Sequence, residues 1–245
     1  MQSNITLHIQ PDYDSLSLTA ARLFARAVRL RPTGAFGFAT GSTPEGMYAE
    51  LVKMSTKGEV DMSQITTFNL DEYVGLSSDN PQSYEYFMAK NLFNNVGVPL
   101  KNRNIPSGTT TNPVEECIAY EKKIAESGGI DLQILGIGNN GHIGFNEPAE
   151  IFAAQTAHVP LAPETIQANA RFFDNPEQVP KYALSMGIQT IMMSKAILLL
   201  ASGDHKAGIL YDALKGPITP KIPASALQLH RNVVVVTDKA AGKFL

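Results

Sequence analysis

A histidine and a glutamate stand five residues apart in one glycine-rich run, Leu135-Gly136-Ile137-Gly138-Asn139-Asn140-Gly141-His142-Ile143-Gly144-Phe145-Asn146-Glu147-Pro148. Four glycines in nine positions, just past an apolar stretch, predict a loop with tight or positive-φ turns. An imidazole in such a loop, with a carboxylate close by, is a candidate general acid/base. Metal binding is the weaker reading, because no second His or Cys stands at ligand spacing. Two adjacent carboxylates occur in Phe68-Asn69-Leu70-Asp71-Glu72-Tyr73-Val74-Gly75, again after an apolar run. At a strand end such a pair could hold a metal, act as a base, or cap the next element.

Two further segments suit an anion. Ala39-Thr40-Gly41-Ser42-Thr43-Pro44 follows a strand-like run and opens a helix-like one. Gly41 lets the backbone approach a ligand, Ser42 and Thr43 offer hydroxyls, and a helix N-terminus presents free N–H groups with partial positive charge. The segment lacks the glycine spacing of both the Walker loop and the dinucleotide fingerprint. It fits a single phosphate, or simply a capped helix start. In Ser202-Gly203-Asp204-His205-Lys206-Ala207, Asp204 reads as an N-cap, which puts Lys206 in a first helical turn. A cation there opposes the helix dipole, a cost that a bound anion would offset. Arg171 could serve the same anion, although nothing local to it says so.

These residues need elements to position them. Ala35–Ala39, Ile65–Asn69, Leu132–Ile137, Ala196–Ala201 and Val233–Val236 are short and apolar, bounded by Gly, Ser, Asp or Asn. Such runs suit strands covered on both faces. Amphipathic stretches alternate with them. Leu16–Leu30 is one. Pro44–Thr56 is another, with Thr43 as N-cap and Gly58 near the stop. Asn112–Glu126 has Asn112 as cap, Pro113 at its opening and Glu115 at the capping-box position. Val114, Cys117, Ile118 and Ile124 are predicted to share its apolar face, which makes Cys117 a packed residue rather than a reactive thiol. The alternation predicts an α/β fold with a mostly parallel sheet and helices on both sides, ligands lying beyond the carboxyl ends of the strands.

Bulk properties agree. The chain has 245 residues, enough for a sizeable core in a single domain over 1–245. A net charge of −3 gives no basic excess for a nucleic-acid backbone. One cysteine excludes an internal disulfide framework and suits a reducing compartment. The first ten residues do not read as a signal peptide, and the longest apolar run is too short to cross a bilayer. A cytoplasmic protein is expected.

Taken together, ATGSTP at 39–44, FNLDEYVGL at 68–76, LGIGNNGHIGFNEP at 135–148, NARFFD at 169–174, QVPKYALSMGI at 178–188 and SGDHKA at 202–207 resemble the glucosamine-6-phosphate deaminase family. The stretches run in family order over nearly the whole chain, and GHIGFNEP is specific, since the related 6-phosphogluconolactonases do not continue into FNEP. The resemblance implies a three-layer Rossmann-like fold used without a nicotinamide cofactor or any other cofactor, and without a metal. It implies isomerisation and deamination of glucosamine 6-phosphate to fructose 6-phosphate and ammonia. By likeness, Asp71 shuttles a proton between carbons 2 and 1, His142 opens the pyranose ring, and Glu147 orients it. Asn140 stands where many members carry Asp, so it can hydrogen-bond but not hold an imidazolium by charge. Gly41, Ser42, Arg171 and Lys206 surround the phosphate.

Two rival readings are a sugar-phosphate lactonase on the same fold and a non-catalytic sugar-phosphate sensor. A sensor would need neither Asp71 nor His142, and the α/β pattern begins too early to leave room for a DNA-binding helix pair. Self-association is left open. Longer hexameric members of the resembled family bind an activating N-acetylated sugar phosphate through basic side chains just after FNEP. Here that segment, Ile151–Leu161, has no Lys or Arg. Coupling of about 1–3 kcal/mol needs contacts that differ between two states, and no cation is present to make them. The kinetics should therefore be hyperbolic and indifferent to N-acetylglucosamine 6-phosphate. A sigmoidal rate curve that this compound straightens would refute the prediction.

Overall fold

The computed structural model describes residues 5–170, 173, 175 and 178–245. The five apolar runs all form strands, and two further strands join them. In chain order the elements begin with β1 (Ile5–Gln10), α1 (Tyr13–Leu30), β2 (Ala35–Phe38), α2 (Ser42–Thr56), β3 (Thr66–Asn69), β4 (Asp71–Tyr73), α3 (Tyr84–Met88), β5 (Arg103–Asn104) and α4 (Pro113–Glu126). There follow β6 (Leu132–Leu135), β7 (Ala157–Pro160), α5 (Pro163–Asn169), β8 (Tyr182–Ser185), α6 (Ile188–Met192), β9 (Ile197–Ala201), α7 (Ala207–Lys215) and β10 (Val233–Asp238). No helix among the described residues is long and apolar enough to cross a membrane.

The main sheet has seven strands in the order β1-β10-β9-β6-β2-β3-β5, every pairing parallel. A second sheet, β4-β8-β7, is antiparallel. Register shows how the main sheet is covered. Gly37 pairs with Phe68 and Phe38 with Asn69, so Phe38 and Phe68 point to opposite faces. Phe38 packs on Phe24 of α1 and Tyr48 of α2, whereas Phe68 packs edge-on against Tyr120 of α4. Helices thus lie on both faces, as the unbroken apolar runs require. From β2 the chain winds outward to β3 and β5, then returns through β6 to the other side of β2. The switch point lies between the carboxyl ends of β2 and β6, where such folds bind ligands.

Some local predictions need correction. Helix α2 starts at Ser42, and its N-cap is Gly41 at φ 96° rather than Thr43. Pro44 falls inside the first turn, where its missing N–H is no loss. Asn112 does cap α4, accepting from Glu115 N at 3.3 Å, but the capping box is not reciprocal: Asn112 N donates to Thr110 Oγ1. The buried stripe of α4 is Cys117, Tyr120 and Ile124. Val114 and Ile118 are 65% and 64% exposed, because they lie one flank further round the helix. The stretch after β9 is a 3-10 turn over Asp204–Lys206 preceded by Gly203, so Asp204 is not the cap; its carboxylate pairs instead with Lys243.

The start of α2, which forms one wall of the switch point, is tied down by Tyr13. Its hydroxyl donates toward Ser42 O (2.9 Å) and Thr43 O (3.1 Å) and accepts from Gly46 N (2.9 Å). Tyr13→Phe removes these bonds without changing shape. We expect it to cost about 1 kcal/mol and to lower the melting temperature by about 2–4 °C; an unchanged thermal melt would show that the first turn of α2 holds itself.

Candidate active site

Four strand ends converge on one cleft of about 250 Å³. The β2 end contributes Ala39 through Thr43, β3 contributes Leu70 and Asp71, β6 contributes Gly136 to Gly138 with His142, and β9 contributes Lys206. Asp71, His142, Gly41, Ser42, Thr43 and Lys206, singled out from sequence, therefore line one surface. Asn140 and Glu147 lie on an adjoining cleft of about 790 Å³ that shares His142, Tyr84 and Phe145 with the first. Arg171 lies outside the described residues.

Asp71 opens β4 and is almost wholly buried. Its backbone pairs with Ser185 of β8. Burial pushes its carboxyl up to about 8, and the neighbouring Glu72 adds to the shift. Glu72 occupies the other face of β4. Burial pushes it up to about 7, against the pull of three backbone N–H groups, those of Tyr73, Tyr84 and Glu85 at 2.8–2.9 Å. Through these bonds Glu72 seats the first turn of α3 and brings Tyr84 to the cleft, where the Tyr84 hydroxyl donates to that of Tyr73 (3.0 Å).

The His142 loop is pinned from below. Asn146 Nδ2 donates to Ile143 O and Met186 O, each at 2.8 Å, and Phe145 N donates to Ser185 Oγ at 3.0 Å. Gly141 and Gly144 have positive φ, as predicted for this run. Gly138 is required for a different reason. A Cβ there would fall 2.4 Å from the His142 ring. His142 Nδ1 lies 3.3 Å from Glu147 Oε2, and Asn140 Nδ2 donates to the same oxygen at 2.6 Å. Asn140 Oδ1 also accepts from His142 N at 3.2 Å, and Thr165 Oγ1 donates to Glu147 Oε1 at 3.0 Å. Burial alone would raise the Glu147 carboxyl; its bonds with His142, Asn140 and Thr165 outweigh that and hold it below the usual range.

Lys206 Nζ donates to Asn139 Oδ1 at 2.6 Å. No carboxylate among the described residues pairs with it, and partial burial lowers its proton affinity. Opposite stands the start of α2. A Cβ at Gly41 would meet nothing within 4 Å, so open space rather than crowding surrounds this residue, and its φ of 96° is what demands glycine. Lys206, the start of α2 and the hydroxyl residues Ser42 and Thr43 thus line the same cleft as Asp71 and His142. Sequence reasoning missed Tyr84, Asn139 and Thr165. Asn139 lay inside the glycine-rich motif, but Tyr84 and Thr165 carry no local signal.

Together the fold and the cleft define a doubly wound α/β protein whose switch point gathers a buried carboxylate, an imidazole and a lysine. The chain belongs to the family of glucosamine-6-phosphate isomerases and 6-phosphogluconolactonases, whose model matches residues 13–236. It is 51% identical over 234 residues to the glucosamine-6-phosphate deaminase of Clostridium acetobutylicum, covering 96% of this chain and 97% of that one. With the deaminase of Clostridium perfringens strain 13 it shares 47% over 239 residues, covering 98% and 99%. A solved structure of a monomeric glucosamine-6-phosphate deaminase superposes with a TM-score of 0.94 at 44% identity, covering 98% and 100%. The 6-phosphogluconolactonase of Trypanosoma brucei, at 18% identity and a TM-score of 0.75, shares the fold.

Burial of Asp71 has a measurable cost. Its folded pKa of about 8 lies above the unfolded value of about 3.9. Below about pH 4 both states hold the proton and nothing is lost. Between about pH 4 and 8 only the unfolded chain releases it, so stability falls as pH rises, and above 8 the loss is complete. Asp71→Asn should therefore melt higher than the wild type at pH 9, with the difference shrinking toward pH 5. A constant difference across that range would contradict the buried charge.

Proposed function

We propose that the protein converts glucosamine 6-phosphate and water to fructose 6-phosphate and ammonia. The observation that carries this reading is one cleft lined by a buried carboxylate, an imidazole and a lysine that no carboxylate among the described residues pairs with. The relatives named above support it.

The phosphate sits at the start of α2, against Gly41, Ser42, Thr43 and Lys206, with Arg171 as a further ligand. It is remote from the reacting carbons, and its binding serves to position them. His142 has Nδ1 engaged with Glu147, which leaves Nε2 to move a proton from the anomeric hydroxyl to the ring oxygen. The ring opens to the aldehyde. Asp71 then removes the proton from carbon 2. A carboxylate with raised proton affinity is a stronger base than an ordinary one, and the ammonium of the incoming amino sugar favours its ionised form. The enolamine takes the proton back at carbon 1. Water adds to the resulting imine at carbon 2, and ammonia leaves. Asn140 and Glu147 orient His142 throughout. A reaction on a free sugar phosphate, in a chain with a single buried thiol, suits the cytoplasm.

Ammonia release from glucosamine 6-phosphate, measured beside hydrolysis of 6-phosphogluconolactone, tests the reading. We expect ammonia and no lactonase activity. Asp71→Asn should lower kcat by about 10² or more with little change in KM. Lys206→Ala should weaken the phosphorylated sugar about tenfold while sparing glucosamine. Lactone hydrolysis without ammonia would reverse the assignment.

A further inference from the structure

Glu147 presents its two oxygens to different partners. Oε2 receives Asn140 Nδ2 and faces His142 Nδ1, while Oε1 receives the Thr165 hydroxyl at 3.0 Å. The terminal torsion of a glutamate is broad and roughly two-fold, so bonds at Oε2 alone leave the carboxylate plane free to swing. A donor on Oε1 stops that swing. It thereby fixes the lone pair that Oε2 offers to Nδ1, and with it the tilt and tautomer of the ring.

The position of Thr165 is itself built from contacts. Helix α5 has seven residues and no capping side chain, too short to persist alone. Ile166 packs it onto the apolar cluster of Tyr73, Leu76, Phe145, Leu161 and Ala183. That cluster belongs to the same wall as the catalytic loop, so Thr165 and Glu147 are referred to one frame. Thr165 and Ala162 line the larger cleft together with His142.

We propose that Thr165 is a positioning residue for ring opening, its hydroxyl locking the Glu147 carboxylate that orients His142. The proposal rests on the deaminase reading. Thr165→Val removes the donor at nearly constant shape, and Thr165→Ser restores it. With glucosamine 6-phosphate, Thr165→Val should lower kcat about tenfold, equivalent to about 1.4 kcal/mol, with KM within about twofold. Thr165→Ser should recover most of the rate. An analogue lacking both the C4 and C5 hydroxyls can close neither a pyranose nor a furanose ring, and on it Thr165→Val should match the wild type. Equal losses on both substrates, or a serine variant as slow as the valine one, would reduce Thr165 to a packing role and overturn the proposal. An active wild type matched by Thr165→Val overturns the positioning role alone. A wild type that releases no ammonia overturns the deaminase reading and the proposal with it.

Discussion

A carboxylate kept from water at the edge of an apolar core is the constraint on which the site depends. Asp71 follows Leu70 directly out of β3, so its place is set by the central sheet and not by a loop. Keeping a charge there is costly unless it can be neutralised, and the protein carries Glu72 immediately beside it, on the opposite face of β4. Glu72 is satisfied by backbone N–H groups of α3, so the second carboxylate is spent on architecture. Two adjacent acids of like chemistry are thus separated into one that lines the cleft and one that holds α3 by what surrounds each.

The carboxylate of the glycine-rich loop works differently. Glu147 accepts from Asn140 and Thr165 and lies in hydrogen-bonding contact with His142 Nδ1. A hydrogen-bonded anion of this kind stays ionised and orients what it touches. Asn140 supplies a neutral hydrogen bond, so among the described residues Glu147 is the one anion in hydrogen-bonding contact with the His142 ring. The network is local in space but drawn from two distant stretches of chain.

That difference explains what could be read in the sequence. The five core strands were legible because each is a continuous apolar run buried on both faces. Asp71, His142 and Glu147 were legible because polar residues at strand ends stand out against those runs. The antiparallel sheet was not, since β4 has three residues and owes its existence to β8. Val114 and Ile118 look like core by composition, yet the helix turns them outward. Thr43 and Asp204 have the chemistry of caps, but glycines with positive φ sit one or two positions earlier and take the role. Tyr84 and Thr165 gain their importance only from tertiary neighbours.

Strand β1 pairs with a single neighbour, β10, so Ile5 lies opposite Val233. On its other side β10 pairs with β9. The place next to β1 is therefore filled by the last of the described strands. During synthesis, which delivers the N-terminal part first, β1 meets β10 only after β2 to β9 have been made. Its exposed Leu7 and Ile9 and its open backbone edge remain available for mispairing over that whole interval. Contacts so remote along the chain close slowly. The sheet is then most vulnerable in the interval that ends when β10 enters between β9 and β1.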